Sequence, residues 1–324
     1  MSANRLHVEV LNGISVVFPY FRHERLLLGT AGEQRVDAET LADDPLVGIK
    51  APSQEEIAVA FSEDGLVGGL YQQFERRDEQ CQMSCAVGKA FEQSENLVVE
   101  AGTGVGKSMA YLLPAALLAK KNNITVGVAT KTNALLDQLI YHELPLLDKA
   151  LGGLTYAALK GFSHYPCLRK IEHLVAEHQF DRMLGDKQMT CAVAVAALLS
   201  FIEQSEYSDI DTLKIDYRLL PRWSITCGSQ ECLRRKCPYY GASCFVHGSR
   251  RKAAAADIVV TNHSLLFCDL AADGGLLPPI RYWVVDEAHG AEQEARKAFS
   301  SKLSSEELVN IAHKVASDDS RNIF

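Results

Sequence analysis

The sequence lacks long hydrophobic runs: no stretch approaches the ~18 consecutive apolar residues that a membrane-spanning helix needs. Its first ten residues, MSANRLHVEV, do not combine a basic segment with an apolar core, as a secretory signal would. Internal repeats and low-complexity segments are also missing. These absences argue against collagen-like, disordered and membrane-spanning proteins, and we expect a cytoplasmic protein without a membrane partner.

The sequence also lacks an excess of positive charge, because 33 lysines and arginines stand against 41 acidic residues and the net charge is −8. A protein that binds nucleic acid over its whole surface is usually basic, so such binding here would need a local basic patch. The 324 residues suffice for one large domain or two ordinary ones without disulfide bonds. The nine cysteines are therefore more typical of metal or cluster ligands than of disulfides.

The chain changes character along its length. Residues 1–50 predict short β-strands of unknown role, and residues 51–95 predict helices that begin near Ser53. From residue 96 strands and helices alternate, which predicts an α/β fold with a parallel sheet, interrupted by a helical, cysteine-rich insertion at 167–252. The predicted elements are strand Leu97–Val99, helix Met109–Lys121, strand Ile124–Ala129, helix Asn133–Tyr141, strand Leu154–Leu159, strand Asp257–Thr261, strand Tyr282–Val285 and a charged helix over 291–324.

A glycine-rich segment, AGTGVGKS, lies between a predicted strand and a predicted helix. Glycines allow backbone N–H groups to turn inward around an anion, and the helix N-terminus adds positive potential. We expect Lys107 to bind the β- and γ-phosphates of ATP and Ser108 to bind Mg²⁺. The alternative, a glycine-rich turn, requires strand, loop and helix to coincide by chance. The nucleotide-binding candidates are Ala101, Gly102, Thr103, Gly104, Val105, Gly106, Lys107 and Ser108.

A second motif, DEAH, follows the predicted strand Tyr282–Val285. Asp286 at the strand end is a candidate Mg²⁺ ligand, through water, and Glu287 is a candidate base for the attacking water. His289 is placed to sense the γ-phosphate. The alternative is a surface turn with solvated acids, which the preceding phosphate loop disfavours.

These two motifs resemble those of the superfamily two helicases, and further segments resemble the iron–sulfur DinG/XPD branch, with the DinG side as the best match. The segment FERRDEQ, with Met83 after it, resembles the adenine-reading segment, and Gln80 can both donate to and accept from an adenine edge. An ordinary polar helix face is the alternative there. Residues 129–139 resemble a segment that contacts the DNA backbone, and TNHSLL at 261–266 resembles another characteristic segment.

The resemblance covers about residues 55–300 and implies a RecA-like P-loop NTPase domain over 51–324. It implies an ATP-dependent 5′–3′ DNA helicase that uses ATP and Mg²⁺ on single-stranded DNA or a forked duplex. The second motor domain and its arginine finger would lie beyond Phe324, so we expect nucleotide binding, very slow hydrolysis and no unwinding by this chain alone. A P-loop ATPase without translocation, or an iron–sulfur or zinc nucleic-acid-binding module, stays open, as does RNA as the substrate.

Three cysteines of the insertion, Cys232, Cys237 and Cys244, lie close together in sequence, and Cys167 lies far upstream in GFSHYPC. Thiolates bind both iron–sulfur clusters and zinc, so this spacing alone is not specific. The resemblance implies a [4Fe–4S] cluster held by these four residues. Cys227 in place of one ligand, a zinc site and unligated cysteines are the alternatives. The remaining cysteines, predicted to be core or bystander residues, are Cys81, Cys85, Cys191 and Cys268.

The insertion also supplies the local basic patch, because residues 227–252 carry a net charge of +5 within an acidic chain. Tyr239, Tyr240 and Phe245 are interleaved with the charges. Basic groups follow a phosphate backbone and aromatic rings stack on unpaired bases, so single-stranded DNA is the predicted partner. Packing of these rings around the cysteines is the alternative. Lys131 and Lys160 are predicted to extend the patch.

Overall fold

The structure is a computed structural model that describes residues 49–70, 75–102, 104–176, 188–218, 220–241, 243–272 and 274–300. The strands predicted near the N-terminus and the predicted helix beyond residue 300 lie outside the described residues. The same holds for Phe74, Thr103 and the side chain of Cys191.

Four parallel strands form a sheet in the order β2-β3-β1-β4, which confirms the predicted α/β architecture and is consistent with a RecA-like fold. Val128 in β1 lies opposite Val260 in β3 and Val284 in β4. The strands are β1 Val126–Thr130, β2 Tyr156–Ala158, β3 Ile258–Asn262 and β4 Tyr282–Val285.

Helices fill the connections between these strands. Ser53 caps the first helix through reciprocal hydrogen bonds with Glu56, as the sequence predicts for a helix start there. None of the helices in the described ranges has the length and apolar character to cross a membrane. The helices are α1 Gln54–Ala60, α2 Asp78–Gln93, α3 Lys107–Asn122, α4 Asn133–Gln138, α5 Leu144–Leu151, α6 Leu168–Ala176, α7 Gln188–Gln204, α8 Arg222–Ile225, α9 Phe245–Ala254, α10 His263–Ala271 and α11 Ala291–Ala298.

Both faces of the sheet are covered, as a parallel sheet requires. Val128 and Val260 face one apolar cluster, to which α3 contributes most of its buried residues between positions 109 and 119. Ala129 and Val259 face the other cluster, together with Leu265 of α10. The sheet is therefore the middle layer of three, and α3 is held rigidly against it.

The insertion has apolar clusters of its own. One contains Ile171 of α6, Leu198 of α7 and Ile225 of α8. A second packs Phe162 and Phe245 beside the cysteine-rich segment. Residues of the predicted insertion thus take part in apolar clusters other than the two that cover the sheet.

Two sequence predictions differ from the structure. Residues 97–99 form no strand, and Leu97, Val98 and Val99 are 45%, 73% and 41% exposed. Apolar, β-branched residues form a strand only where a neighbouring edge pairs with them, which composition alone does not reveal. The helix predicted to reach Tyr141 ends at Gln138 and continues as a wider π-turn, Leu139–Glu143, into α5.

The parallel arrangement positions the candidate site. Because the carboxyl ends of parallel strands meet at one edge of a sheet, the residues that follow the strands gather there. Lys131 follows β1, His263 follows β3 and Asp286 follows β4. The glycine-rich loop that precedes α3 lies at this same edge, because Lys107 contacts the residue after Asp286.

Candidate ATP site and cysteine-lined cavity

The glycine-rich loop opens α3 as the sequence predicts. Gly104 and Gly106 both have φ of +82°, a left-handed conformation that glycine adopts without strain. Gly106 is the N-cap residue of α3, and Lys107 and Ser108 form its first turn. The free N–H groups of that turn and the loop make an anion-binding end of the helix.

The start of α2 holds the loop from one side. The side-chain amide of Gln80 donates to the carbonyl oxygen of Gly106 at 2.8 Å, and the guanidinium of Arg77 donates to the carbonyl oxygen of Gly104. Gln80 is 8% exposed. The residue predicted to read adenine therefore lies directly against the phosphate loop, with a second N–H and its amide oxygen in addition to this bond.

Asp286 is held in place by four contacts. Its backbone N–H donates to the carbonyl oxygen of Ala129 at 2.9 Å, which extends the β1–β4 pairing by one residue. Its carboxylate accepts from the N–H of Glu287 at 3.0 Å and from the hydroxyl of Tyr111 at 3.2 Å. His263 Nε2 lies 2.8 Å from its carbonyl oxygen. The carboxylate is thus oriented before any cation binds.

Glu287 bridges the two sequence motifs. One of its oxygens, Oε1, lies 3.3 Å from Nζ of Lys107, and the other, Oε2, lies 3.3 Å from Nδ1 of His289. Its φ of 52° places it in the left-handed region that non-glycine residues rarely adopt. Such conformations concentrate at functional sites, where surrounding contacts maintain them.

His289 continues the chain of contacts outward. Its Nε2 lies 3.0 Å from Nζ of Lys131, the residue that follows β1. The candidate residues Lys107, Glu287 and His289 and the loop residue Ser108 are therefore all brought to one edge of the sheet. Lys131, predicted as part of a basic patch, takes part in this cluster instead.

Two further residues of this site are not among the candidates from the sequence: Tyr111 lies outside the motifs, and His263 lies within TNHSLL, for which no site role is predicted. Burial and the charge of Asp286 raise the pKa of Tyr111 well above its ordinary value, so its hydroxyl stays a donor at neutral pH. Burial lowers the pKa of His263, so its ring stays neutral against the Asp286 carbonyl. Tyr111 sits one helical turn after Ser108, a spacing that could have drawn attention to it.

Five cysteines line one cavity in the insertion. An antiparallel bridge between Pro166 and Thr226 brings the remote upstream cysteine to the others, because Cys167 N–H donates to the carbonyl oxygen of Ile225 at 2.7 Å. The lining cysteines, all free thiols, are Cys167, Cys227, Cys232, Cys237 and Cys244. The four residues that the resemblance implies as ligands are together, and so is the fifth.

The donor chemistry of this cavity is suited to a soft cofactor. Burial, together with the neighbouring Cys167 and Cys232, raises the pKa of Cys227 to about 11. Burial and nearby arginines lower the pKa of His247 to about 4, so the ring 3.8 Å from Cys232 Sγ is neutral. No group of three or more cysteine, histidine or acidic side chains among the described residues is arranged to hold a metal ion. The five thiols of the lining are nevertheless a donor set that fits an iron–sulfur cluster in chemistry.

The basic patch is smaller than the sequence predicts. Arg234, Arg235 and Lys236 form one exposed turn. Arg250 instead stacks over the ring of Phe162 at 4.5 Å, and Lys252 lies 3.5 Å from Glu206. Arg250 and Lys252 therefore have partners outside residues 227–252, which the sequence does not reveal.

All three aromatic residues of the patch also have partners within the fold. Phe245 is 4% exposed and belongs to an apolar cluster, so the prediction that it stacks on bases is wrong. Tyr239 donates its hydroxyl to Glu172 at 2.7 Å, and the ring of Tyr240 lies 4.4 Å from that of His247. The alternative of packing around the cysteines describes Phe245 and Tyr240 better.

Lys160 does not extend the basic patch, contrary to the sequence prediction. Its side chain is 1% exposed, and Nζ lies 2.9 Å from Asp137, 3.1 Å from Asp209 and 3.2 Å from Asp211. Burial lowers its pKa, but these carboxylates outweigh burial and raise it overall. Lys160 therefore ties α4 to the 209–211 segment of the insertion.

Comparisons with known proteins agree with the resemblance. No family model matches the chain. The chain is 34% identical to the ATP-dependent DNA helicase YoaA of Haemophilus influenzae over 81% of its length and 40% of the relative. It is 36% identical to the ATP-dependent helicase DinG of Mycobacterium tuberculosis, over 83% of the chain and 41% of the relative. It is 30% identical to the 3′-5′ exonuclease DinG of Bacillus subtilis, over 72% of the chain and 24% of the relative.

The chain spans about two fifths of the length of the first two of these curated relatives. The similarity extends well beyond the two short motifs, because the matched region with YoaA covers 268 residues. On these matches and on the parallel sheet that carries both motifs at one edge, the chain belongs to the DinG-like family of helicases.

Proposed function

We propose that this chain is the ATP-binding motor part of an ATP-dependent DNA helicase that moves 5′ to 3′ on single-stranded DNA. The single observation that carries the proposal is the meeting of the two motifs. Lys107 lies 3.3 Å from Glu287, and Asp286 beside it is fixed by Tyr111. A phosphate-binding lysine, a cation-binding carboxylate and a base are the groups that phosphoryl transfer to water needs.

Before nucleotide binds, the side chain of Lys107 already has a carboxylate partner. In the nucleotide-free arrangement Nζ of Lys107 is paired with Glu287, both about one-third exposed. The phosphates of ATP, held by the N–H groups of the loop, compete with Glu287 for Lys107 because they carry more charge. Binding therefore moves Lys107 onto the phosphates and frees Oε1 of Glu287. Gln80, already against Gly106, is placed beside the loop to meet the base.

Hydrolysis then uses the freed carboxylate. Oε1 of Glu287 accepts a proton from the water that attacks the γ-phosphate, while Lys107 stabilises the negative charge on the transferring group. His289, at Oε2, keeps the carboxylate directed. Ser108 and Asp286 would hold Mg²⁺, which neutralises charge on the β- and γ-phosphates.

We propose DNA as the substrate, with contact along the exposed turn Arg234–Lys236. The names of the YoaA and DinG relatives support a DNA helicase, and the positive turn suits a phosphate backbone. A second motor domain would complete the cleft and supply the arginine finger.

We also propose that the cavity holds a [4Fe–4S] cluster through Cys167, Cys232, Cys237 and Cys244. Bound there, the cluster would supply a rigid thiolate-linked anchor for the insertion. Cys227 is 5% exposed and its thiol donates to the carbonyl of Gly228 at 3.3 Å, so it acts as a core residue beside the cluster.

The ATP proposal is tested by equilibrium titration with a fluorescent ATP analogue and Mg²⁺. We expect wild type to bind and Lys107→Ala to lose at least tenfold in affinity. Lys89→Ala, which removes an exposed lysine of α2 away from the loop, is the matched control. Equal affinity of wild type and Lys107→Ala would refute the assignment of the loop.

The cluster proposal is tested by anaerobic purification with a visible spectrum and iron, sulfide and zinc analysis. We expect about four irons per chain and absorption near ~400 nm. Serine variants at positions 167, 232, 237 and 244 should lose iron, whereas Cys227→Ser should keep it. A colourless protein with one zinc per chain would refute the cluster and indicate a zinc site instead. The proposed function would then be a P-loop ATPase with a zinc-binding insertion.

A further inference from the structure

The outer end of the ATP site contains a contact that the proposed mechanism leaves unused. Nζ of Lys131 lies 3.0 Å from Nε2 of His289, and Nδ1 of the same ring lies 3.3 Å from Oε2 of Glu287. Glu287 is in turn paired with Lys107 through its other oxygen. Four side chains thus form one continuous row from the segment after β1 to the phosphate loop.

The chemistry of these groups fixes which nitrogen of the His289 ring accepts from Lys131. A lysine ammonium has donors and no acceptor, so Nε2 of His289 must be the acceptor and carry no proton. The single ring proton of neutral His289 is then on Nδ1, which lies 3.3 Å from Oε2 of Glu287, so the N–H faces the carboxylate. With the proton on Nε2 instead, two donors would face each other at Lys131 and a lone pair would face the carboxylate.

The backbone makes this contact more than a chance meeting of exposed side chains. Ala129 pairs with Val285 in the β1–β4 register, so Lys131 and Glu287, each two residues further, emerge at the same level of the sheet. The stem of Lys131 crosses Gly290 so closely that a Cβ there would lie 3.1 Å from its Cδ and Cε. Glycine at position 290 therefore leaves room for the side chain of Lys131 to reach His289.

We infer that Lys131 is a positioning residue of the candidate ATPase centre, which fixes the tautomer of His289 and through it the orientation of Glu287. The inference rests on the proposed role of Glu287. Lys131 acts through His289, whose Nε2 lies 3.0 Å from its Nζ. Its effect reaches the reaction because Nδ1–H of His289 leaves Oε1 of Glu287 as the oxygen available to accept a proton.

The tautomer is measured by ¹⁵N NMR of the histidine ring nitrogens in the nucleotide-free chain above pH 8. The resonances of His289 are assigned by their loss in His289→Gln. We expect Nδ1 protonated and Nε2 unprotonated in wild type. Lys131→Met keeps the stem without the donor and should move the ring toward the Nε2–H form, whereas Lys131→Arg should restore the wild-type signals. Lys89→Met is the matched control and should leave them unchanged.

An Nε2–H ring in wild type, or an unchanged ring in Lys131→Met, would overturn the inference. The readout does not use nucleotide, so it stands even if the ATP titration refutes the proposed function. Single-turnover hydrolysis adds a second readout: Lys131→Met should slow the chemical step roughly 10-fold, as loss of an outer partner of a site does. Its affinity for the nucleotide should stay within about twofold, and an effect on affinity alone would contradict a role in positioning Glu287.

Discussion

Nζ of Lys107 and Oε1 of Glu287 lie 3.3 Å apart although 180 residues separate them in sequence. The N-terminus of α3 and the carboxyl end of β4 meet at the same edge of the sheet, which brings the two side chains together. The ion pair holds both groups in place without nucleotide, and it is the contact that ATP phosphates would replace.

Tyr111→Phe removes the hydroxyl that donates to Asp286 and leaves the buried ring in place. Asp286 then loses one of the contacts that orient its carboxylate. We therefore expect that a several-fold higher Mg²⁺ concentration is needed to support nucleotide binding. The free energy of unfolding should fall by only about 1 kcal/mol. Tyr141→Phe, at an exposed position, is the control. Unchanged Mg²⁺ titrations of the fluorescent nucleotide would show that Tyr111 does not position Asp286.

Lys160→Met should lower the free energy of unfolding by about 3–5 kcal/mol, because it leaves the buried carboxylate of Asp209 without its cation. The pKa of Lys160 in the folded state is raised, so its stabilisation is complete at pH 7 and is lost only as pH rises through the folded-state pKa. Urea unfolding measures the change. Lys149→Met, on the exposed side of α5, should change stability by less than ~0.5 kcal/mol. Similar effects of the two substitutions would contradict the buried-cluster account.

Asp211 makes stability sensitive to acid. Burial alone would raise its pKa, but hydrogen bonds from His164 and Arg222 hold it well below its ordinary value. A carboxyl with a lowered folded-state pKa stabilises the fold above its unfolded pKa of about 3.9, and the stabilisation is lost as pH falls from there. Asp211→Asn should therefore flatten the fall in unfolding free energy between pH 5 and pH 2. Parallel pH profiles for wild type and variant would refute this.

The exposed turn Arg234–Lys236 and the stacked Arg250 should behave differently. Replacing the three residues of the turn by alanine should weaken binding of a dT oligonucleotide and lower the salt slope by about 2, at roughly −0.7 per lost phosphate contact. Arg250→Ala should mainly reduce stability, because its guanidinium stacks on Phe162. A larger loss of DNA affinity in Arg250→Ala than in the triple variant would reverse this assignment.

The sequence predicts the parallel sheet correctly, because alternating strands and helices favour it, and it places the two motifs next to the elements that their local patterns indicate. Lys107 opens α3 and Asp286 follows β4 as their local patterns indicate. The cysteines also gather as the resemblance implies, although the spacing of Cys167 does not show it. Their ligand roles stay predictions.

What the sequence could not predict depends on contacts between distant segments. Lys160 is interpreted as a DNA-binding residue only because Asp137 and Asp209, its partners in the fold, are far from it in the chain. Phe245 is called a stacking residue because its neighbours Phe162 and Tyr165 come from a different segment. Tyr111 and His263 belong to no motif of catalytic residues, and only packing places them on Asp286.

The central claim is that the two motifs form one ATP-hydrolysing centre with Glu287 as its base. Single-turnover hydrolysis of Mg²⁺-ATP by wild type and Glu287→Gln, with affinity measured on the same samples, tests it most directly. The account predicts that Glu287→Gln binds the nucleotide at least as well, because Lys107 is released from its ion pair, and hydrolyses it at least ~10²-fold more slowly. Equal hydrolysis rates at equal occupancy would contradict it.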